Sequence, residues 1–206
     1  MRRSAITYGA VAAGMLWVLP WLLAPVLAQG PAGRVISYTT SDGLSDGTIK
    51  TIFEDSRGYL WFGTFNGANK FNGYEFTNYL SSASDSTSLS HRQVNAIAED
   101  RAGRLWMGTN LGIDLYNFDQ DNFIRVRLRR GERFVDLSQV QTLAVGPANT
   151  LWVLTPSALY RAHLPAGPGL PRVLEVTAVY DPRTTFGFTG ARFAYLTADP
   201  AGNLWL

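Results

Sequence analysis

Past residue 34 the apolar positions of this chain return at a near-constant spacing. A Leu-Trp pair stands at 60–61, 105–106, 151–152 and 204–205, with the Trp residues 45, 46 and 53 apart. Each pair sits in the same local pattern. A short apolar run (49–53, 94–98 and 140–145) leads through a turn into a second run that carries the Trp. In the first two copies that run ends in Gly-Thr, at 63–64 and 108–109, and a third run then closes on Phe71 or Tyr116; the worn third copy reaches Tyr160. Alternating runs of about 4 to 6 residues, broken this often by Gly, read as strands and not as helical pairs. Fourth strands are predicted at 76–79 and 123–128. The additional residues before the last pair fall in a Gly/Pro-rich insert at 165–171, which reads as loop.

A fixed period in this range announces a repeat architecture. Four antiparallel strands per repeat describe a β-propeller blade, so the predicted fold class is all-β. Blades are centred on Trp61, Trp106, Trp152 and Trp205; 49–53 and 94–98 are expected to be innermost strands and 123–128 an outermost one. Three blades and the start of a fourth are expected, about three and a half, which predicts a ring cut off in mid-blade.

The turn between the first two strands has a chemical reading. Asp55 and Asp100 stand six residues before Trp61 and Trp106, and Gly58 and Gly103 stand three before. An Asp there can accept backbone N–H bonds within the turn, and Gly supplies a positive φ. In the third copy the Gly is replaced by Asn149, the residue next most tolerant of the left-handed region. The four Trp are expected to fill equivalent positions between neighbouring sheets.

The first 28 residues follow a different rule. Arg2 and Arg3 precede an apolar run over 6–27, and Val26-Leu27-Ala28 offers small residues ahead of Gln29. This predicts a signal peptide over 1–28 cleaved between Ala28 and Gln29, then a linker over 29–34 and the propeller over 35–206. An uncleaved anchor is the alternative, because the run matches the roughly 20 apolar residues of a spanning helix. Pro20, Pro25 and the lack of a positive stop-transfer segment favour cleavage. Either way the remainder is exported.

Charge changes the picture only by exclusion. The chain has 18 basic and 16 acidic residues, but residues 1–28 hold two Arg and no acid, so the exported part is balanced at 16 of each. A net charge of zero gives no support for a nucleic-acid partner. With no Cys, disulfides, thiol catalysis and Cys-zinc sites are excluded. His91 and His163 are the two histidines, too few for a histidine metal cluster, and both are expected in exposed loops.

Candidate chemistry inside the repeats is sparse. Asp119, Asp121 and Asn122 resemble the opening of a calcium loop but lack its Gly and distal Glu, so a polar turn is expected. Arg125, Arg127, Arg129, Arg130 and Arg133 form a basic stripe suited to an acidic glycan. Alternation with Val126 and Leu128 instead places the first three on the solvated face of a blade edge, where charge deters edge-to-edge pairing. Glu54-Asp55 and Glu99-Asp100 resemble glycosidase carboxylate pairs, but their recurrence at one place in each repeat points to turn building. No catalytic residue, cofactor or metal ligand is assigned.

Asp42-Gly43-Leu44, the string Glu-Asp-x-x-Gly-x-Leu-Trp-x-Gly-Thr at 54–64 and 99–109, and Ser88-Leu89-Ser90 resemble the two-component regulator propeller repeat. Neither the Trp-Asp of one propeller class nor the Gly-Gly of kelch repeats is present. The resemblance, over about 35–206, implies the periplasmic sensor half of a hybrid sensor histidine kinase. It also implies a seven-bladed ring, an inner-membrane anchor, and a signal that is often a polysaccharide breakdown product such as an oligosaccharide. Expected partners are therefore that ligand, the remaining blades and downstream domains of the same chain, and a homodimer of the full-length protein. The alternatives are the sensor region of a propeller-containing diguanylate cyclase and an exported carbohydrate-active propeller enzyme. The lack of a non-repeating cluster of acids, His or Tyr disfavours the enzyme.

Overall fold

The computed structural model describes residues 35–185, 196–198 and 204–205. The chain divides into Met1–Ser37, whose described residues 35–37 are exposed and without regular secondary structure, and Tyr38–Leu206, which carries every described strand. The predicted signal segment, the linker and the Ala28–Gln29 bond lie outside the described residues.

The period of the sequence becomes a series of blades. Strands β1 (Ile49–Glu54), β2 (Leu60–Thr64), β3 (Gly67–Phe71) and β4 (Phe76–Tyr79) pair antiparallel in chain order. In the second blade β5 (Val94–Glu99), β6 (Leu105–Thr109), β7 (Gly112–Asn117) and β8 (Asn122–Arg130) do the same, and β8 turns back through β9 (Arg133–Phe134). The third blade is β10 (Thr142–Gly146), β11 (Thr150–Leu154), β12 (Leu159–His163) and β13 (Val173–Tyr180). After the short helix α1 (Pro182–Thr185), β14 (Thr197–Ala198) and β15 (Leu204–Trp205) pair as the described part of a fourth. The first strands β1, β5, β10 and β14 pack in succession against one another, which makes them the innermost strands of a propeller arc.

The turns are built as the spacing predicts. Asp55 accepts the backbone N–H of Arg57 at 3.0 Å and of Tyr59 at 2.9 Å, and Asp100 accepts those of Ala102 and Arg104 at 2.9 and 3.1 Å. Gly58 and Gly103 have φ of 85° and 73°, and Asn149 takes 56° in the third copy. Packing explains the Gly of the Gly-Thr pairs. A Cβ on Gly63 would meet the Val94 carbonyl oxygen at 2.8 Å and one on Gly108 the Val140 side chain at 2.6 Å, so each lets the next blade's first strand approach.

All four Trp hold the same register position, opposite Phe53, Ala98, Ala144 and Thr197. Their burial differs, which corrects the expectation of equivalence. Trp61 and Trp106 are fully enclosed, Trp152 is half-buried, and Trp205 is 62% exposed. Cover comes from the following blade. Trp61 is gripped by Tyr79 and by Tyr116 of the second blade, and Trp106 joins Leu137, Val140 and Leu151 of the third.

The outer strands depart from expectation. β8 pairs in parallel with β13 of the next blade, Val173 to Glu175 against Arg127 to Arg129. The Arg side chains at 125, 127 and 129 do lie on the exposed face, yet they do not deter this pairing. Arg129 supplies the reason: its guanidinium donates to Glu175 on the partner strand, turning the repulsive edge into a cross-strand ion pair.

Candidate functional site at the axial mouth

Eleven residues before each of the first three blade tryptophans stands a polar side chain in an apolar neighbourhood: Lys50, Asn95 and Gln141. The β1–β2 register slips between Ile49 and Thr51, and the β5–β6 register between Val94 and Ala96, so Lys50 and Asn95 are the extra residues of matching bulges. A bulge re-aims the side chain it carries. Gln141 holds the same station just before β10, its N–H bonded to the Leu154 carbonyl at 2.8 Å. All three line a concavity of about 670 Å³ bounded by the innermost strands of the blades.

Around Asn95 the amides form a closed circuit. Gln93 Nε2 donates to Asn95 Oδ1 at 2.8 Å, Asn95 Nδ2 to Asn110 Oδ1 at 2.9 Å, and Asn110 Nδ2 to Gln93 Oε1 at 3.2 Å. Asn95 Nδ2 also reaches the Val140 carbonyl of the third blade at 2.8 Å, so the circuit is braced across two blades. Gln139 stands beside it with φ of 53°, a backbone conformation uncommon outside glycine, and its N–H is held by the Asn110 carbonyl at 2.9 Å. Gln141 Oε1 is buried without a hydrogen-bond partner among the described residues. On the first blade Lys50 sits 5.2 Å over the ring of Phe65, itself 40% exposed.

This lining is rich in groups that both donate and accept, and poor in free charge. The one carboxylate among its described residues, Glu99, already accepts the N–H and hydroxyl of Ser56 at 2.8 and 2.6 Å. Such a surface suits recognition of neutral polar groups by hydrogen bonds, with an aromatic face alongside. Among the described residues no cluster of three or more His, Cys, Asp or Glu could hold a metal ion, and no helix is long and apolar enough to cross a membrane.

Residues 43–66 and 88–111, the segments that supply β1–β2 and β5–β6, match the family model of the two-component regulator propeller. These segments are two-component regulator propeller repeats. A 52-residue stretch is 46% identical to histidine kinase P4 of Formosa agariphila, covering 25% of this chain and 4% of that protein. Two solved structures from B. thetaiotaomicron share the fold. One is the extracellular domain assigned to a hybrid two-component system, with TM-score 0.66 and 21% identity over 82% of this chain and 23% of that one. The other, assigned to a one-component system, has TM-score 0.61 and 20% identity over 84% and 25%. The chain thus spans about a quarter of those extracellular domains.

Within the propeller repeats the residues singled out from sequence fall in several places. Asp55 and Asp100 build turns, while Glu99 binds the preceding blade's turn, with Arg57 at 3.7 Å and over the Phe118 ring at 3.6 Å. Glu54, its counterpart in the first blade, is exposed. Asp121 lies in the β7–β8 turn, where its carboxylate accepts the hydroxyls of Tyr79 and Tyr116 and stands 3.6 Å from Lys70. Lys70 in turn lies over the rings of Tyr59, Trp61, Tyr79 and Tyr116, a joint between blades that sequence reading missed. His91 lies in a loop as expected but is half-buried, its Nδ1 accepting the Gln93 N–H at 3.0 Å, while His163 is exposed as expected but is the last residue of β12. The axial amides were missed as well. The recurring polar residue eleven before Trp was their signal.

Proposed function

We propose that this chain is a ligand-sensing propeller segment of a transmembrane hybrid sensor histidine kinase, lying on the periplasmic side of the inner membrane. Its ligand is an extracellular oligosaccharide. The observation that carries the reading is the axial mouth: the second and third blades deliver half-buried amides to one concavity, to which the first contributes Lys50 beside the exposed ring of Phe65. Amides complement sugar hydroxyls because each offers both donors and acceptors, and aromatic faces accept the apolar face of a pyranose. Binding shifts a population of states only through differential affinity, so the signal passes to the kinase through blades and downstream domains that respond to occupancy of the mouth. The matching stretch of a histidine kinase favours this output over a diguanylate cyclase.

Two experiments test it. The complete reading frame is expected to encode a membrane helix and a histidine kinase module after the propeller; a cyclase module there would overturn the output, and no membrane helix would overturn the sensor. Oligosaccharide-dependent autophosphorylation of the full-length protein in vesicles, lost in Asn95→Ala, would support the site and the signal together.

A further inference from the structure

A second concavity, about 330 Å³, lies on the flank of the second blade beside the β7–β8 turn, lined by Ser86, Thr87, Asn117, Asn122, Arg125 and Arg172 among others. Three separate segments meet there, each fixed by its backbone. The N–H of Phe123 donates to the Thr87 carbonyl at 2.8 Å, tying the 81–93 loop to β8. The N–H of Arg127 donates to the Arg172 carbonyl at 3.0 Å, tying the residue before β13 to the same strand.

The arginines of this flank divide into two groups. Arg127 is occupied by the Phe134 ring at 3.6 Å, and Arg129 by Glu175. Arg125 and Arg172 are both exposed, and neither makes a side-chain hydrogen bond or ion pair with another described residue. The acids nearby are already committed. Asp85 accepts the N–H and hydroxyl of Thr87 at 2.8 and 2.6 Å. Asp114, opposite Arg125 in the β7–β8 register, is buried and accepts both the N–H and the hydroxyl of Ser90.

We propose that this concavity is an oxyanion site, taking a sulfate, phosphate or carboxylate group borne by a ligand. Two exposed guanidiniums that make no side-chain hydrogen bond or ion pair among the described residues, Arg125 sensing only the buried charge of Asp114, provide planar, charge-assisted donors suited to such groups. The Ser86 hydroxyl and the Asn117 and Asn122 amides add neutral donors around them. The site is separate from the axial mouth and does not rest on the sensor reading.

The test is a titration of the purified chain with sodium sulfate, sodium phosphate or sodium acetate against sodium chloride at matched ionic strength, followed by amide chemical shifts. Saturable shifts at Arg125, Arg172 and the 86–87 backbone are expected, and the three salts identify the preferred anion. Arg172→Ala should weaken binding about tenfold or more. Arg125→Lys should retain part of it, and Arg127→Ala should leave it unchanged. Arg172→Ala touches no buried partner, so its melting temperature in chloride should equal that of the parent and it carries the test if Arg125 variants fail to fold. Shifts that do not saturate with any of the three anions, or that are as strong in Arg172→Ala, would overturn the site.

Discussion

The indole N–H of Trp106 donates to Oδ2 of Asp100 at 2.9 Å, and Trp61 repeats the bond to Asp55 at 2.8 Å. One carboxylate thus closes the strand turn through its backbone bonds and fixes the core side chain six residues on. In the second blade it also holds Arg104, whose Nε donates to the same oxygen at 2.6 Å with both side chains buried. Arg104 reaches further, to the carbonyls of Gly169 and Pro165 in the third blade. Asp100→Ala should therefore cost about 3 to 5 kcal/mol, because it strands a buried guanidinium and an indole donor. Trp106→Ala should cost a similar amount through the cavity it leaves. The double variant should cost less than the two together, since both act on one network. Denaturant midpoints of the three variants check this; an Asp100→Ala loss under 1 kcal/mol would count against the turn-to-core linkage.

The third repeat replaces the turn Asp with Gly146 and holds its turn with two residues at positive φ, Ala148 at 54° and Asn149 at 56°. The two should respond oppositely to glycine. Ala148 is exposed and pays the left-handed penalty with no side-chain bond in return, so Ala148→Gly should stabilise by about 1 kcal/mol. Asn149 Nδ2 donates to the Leu164 carbonyl at 2.7 Å, so Asn149→Gly should lose about as much as the relaxed backbone gains and fall near neutral or below. Thermal melts of both single variants decide the signs.

Asp114 is fully buried, and that burial pushes its carboxyl up to about 6, against the hydrogen bonds from Ser90 and the charge of Arg125, which pull it down. Its Oδ1 has no hydrogen-bond partner among the described residues. Between about pH 4 and pH 6 the folded chain holds a proton that the unfolded chain releases, so stability from this group is present below pH 4 and is lost as pH rises through 6. The loss amounts to about 3 kcal/mol at most. The first blade shows the alternative: Asn69, at the same register, accepts the Ser45 N–H at 2.7 Å and donates to the Phe62 carbonyl at 3.3 Å. Asp114→Asn should raise stability above pH 6 and flatten its pH dependence. An unchanged slope between pH 4 and 7 would show that another group sets it.

The repeat period, the strand order and the turn chemistry were legible because each rests on residues close together in sequence. The Asp-to-Gly spacing and the Asn149 exchange report a backbone requirement that needs no tertiary information. The Asp100 to Trp106 bond was not legible, since it depends on where a strand returns after its turn. Likewise, the alternation of Arg125, Arg127 and Arg129 gave their face correctly, while the Glu175 that neutralises Arg129 lies 46 residues away on a strand whose parallel pairing no local pattern encodes. The axial amides fall between these cases. Their recurrence was visible, but the bulge that turns Lys50 and Asn95 inward appears only in the register of the paired strands.

The central claim, that successive blades present the polar residue eleven before their Trp to one ligand, is tested most directly by calorimetric titration of the purified chain with a panel of oligosaccharides. The account predicts saturable binding of at least one of them, weakened about tenfold or more in Asn95→Ala and in Gln141→Ala, with the melting transition of each variant retained. Binding of equal affinity in the parent and both variants would place the ligand elsewhere, and no binding across the panel would contradict the sensing role assigned to the axial mouth.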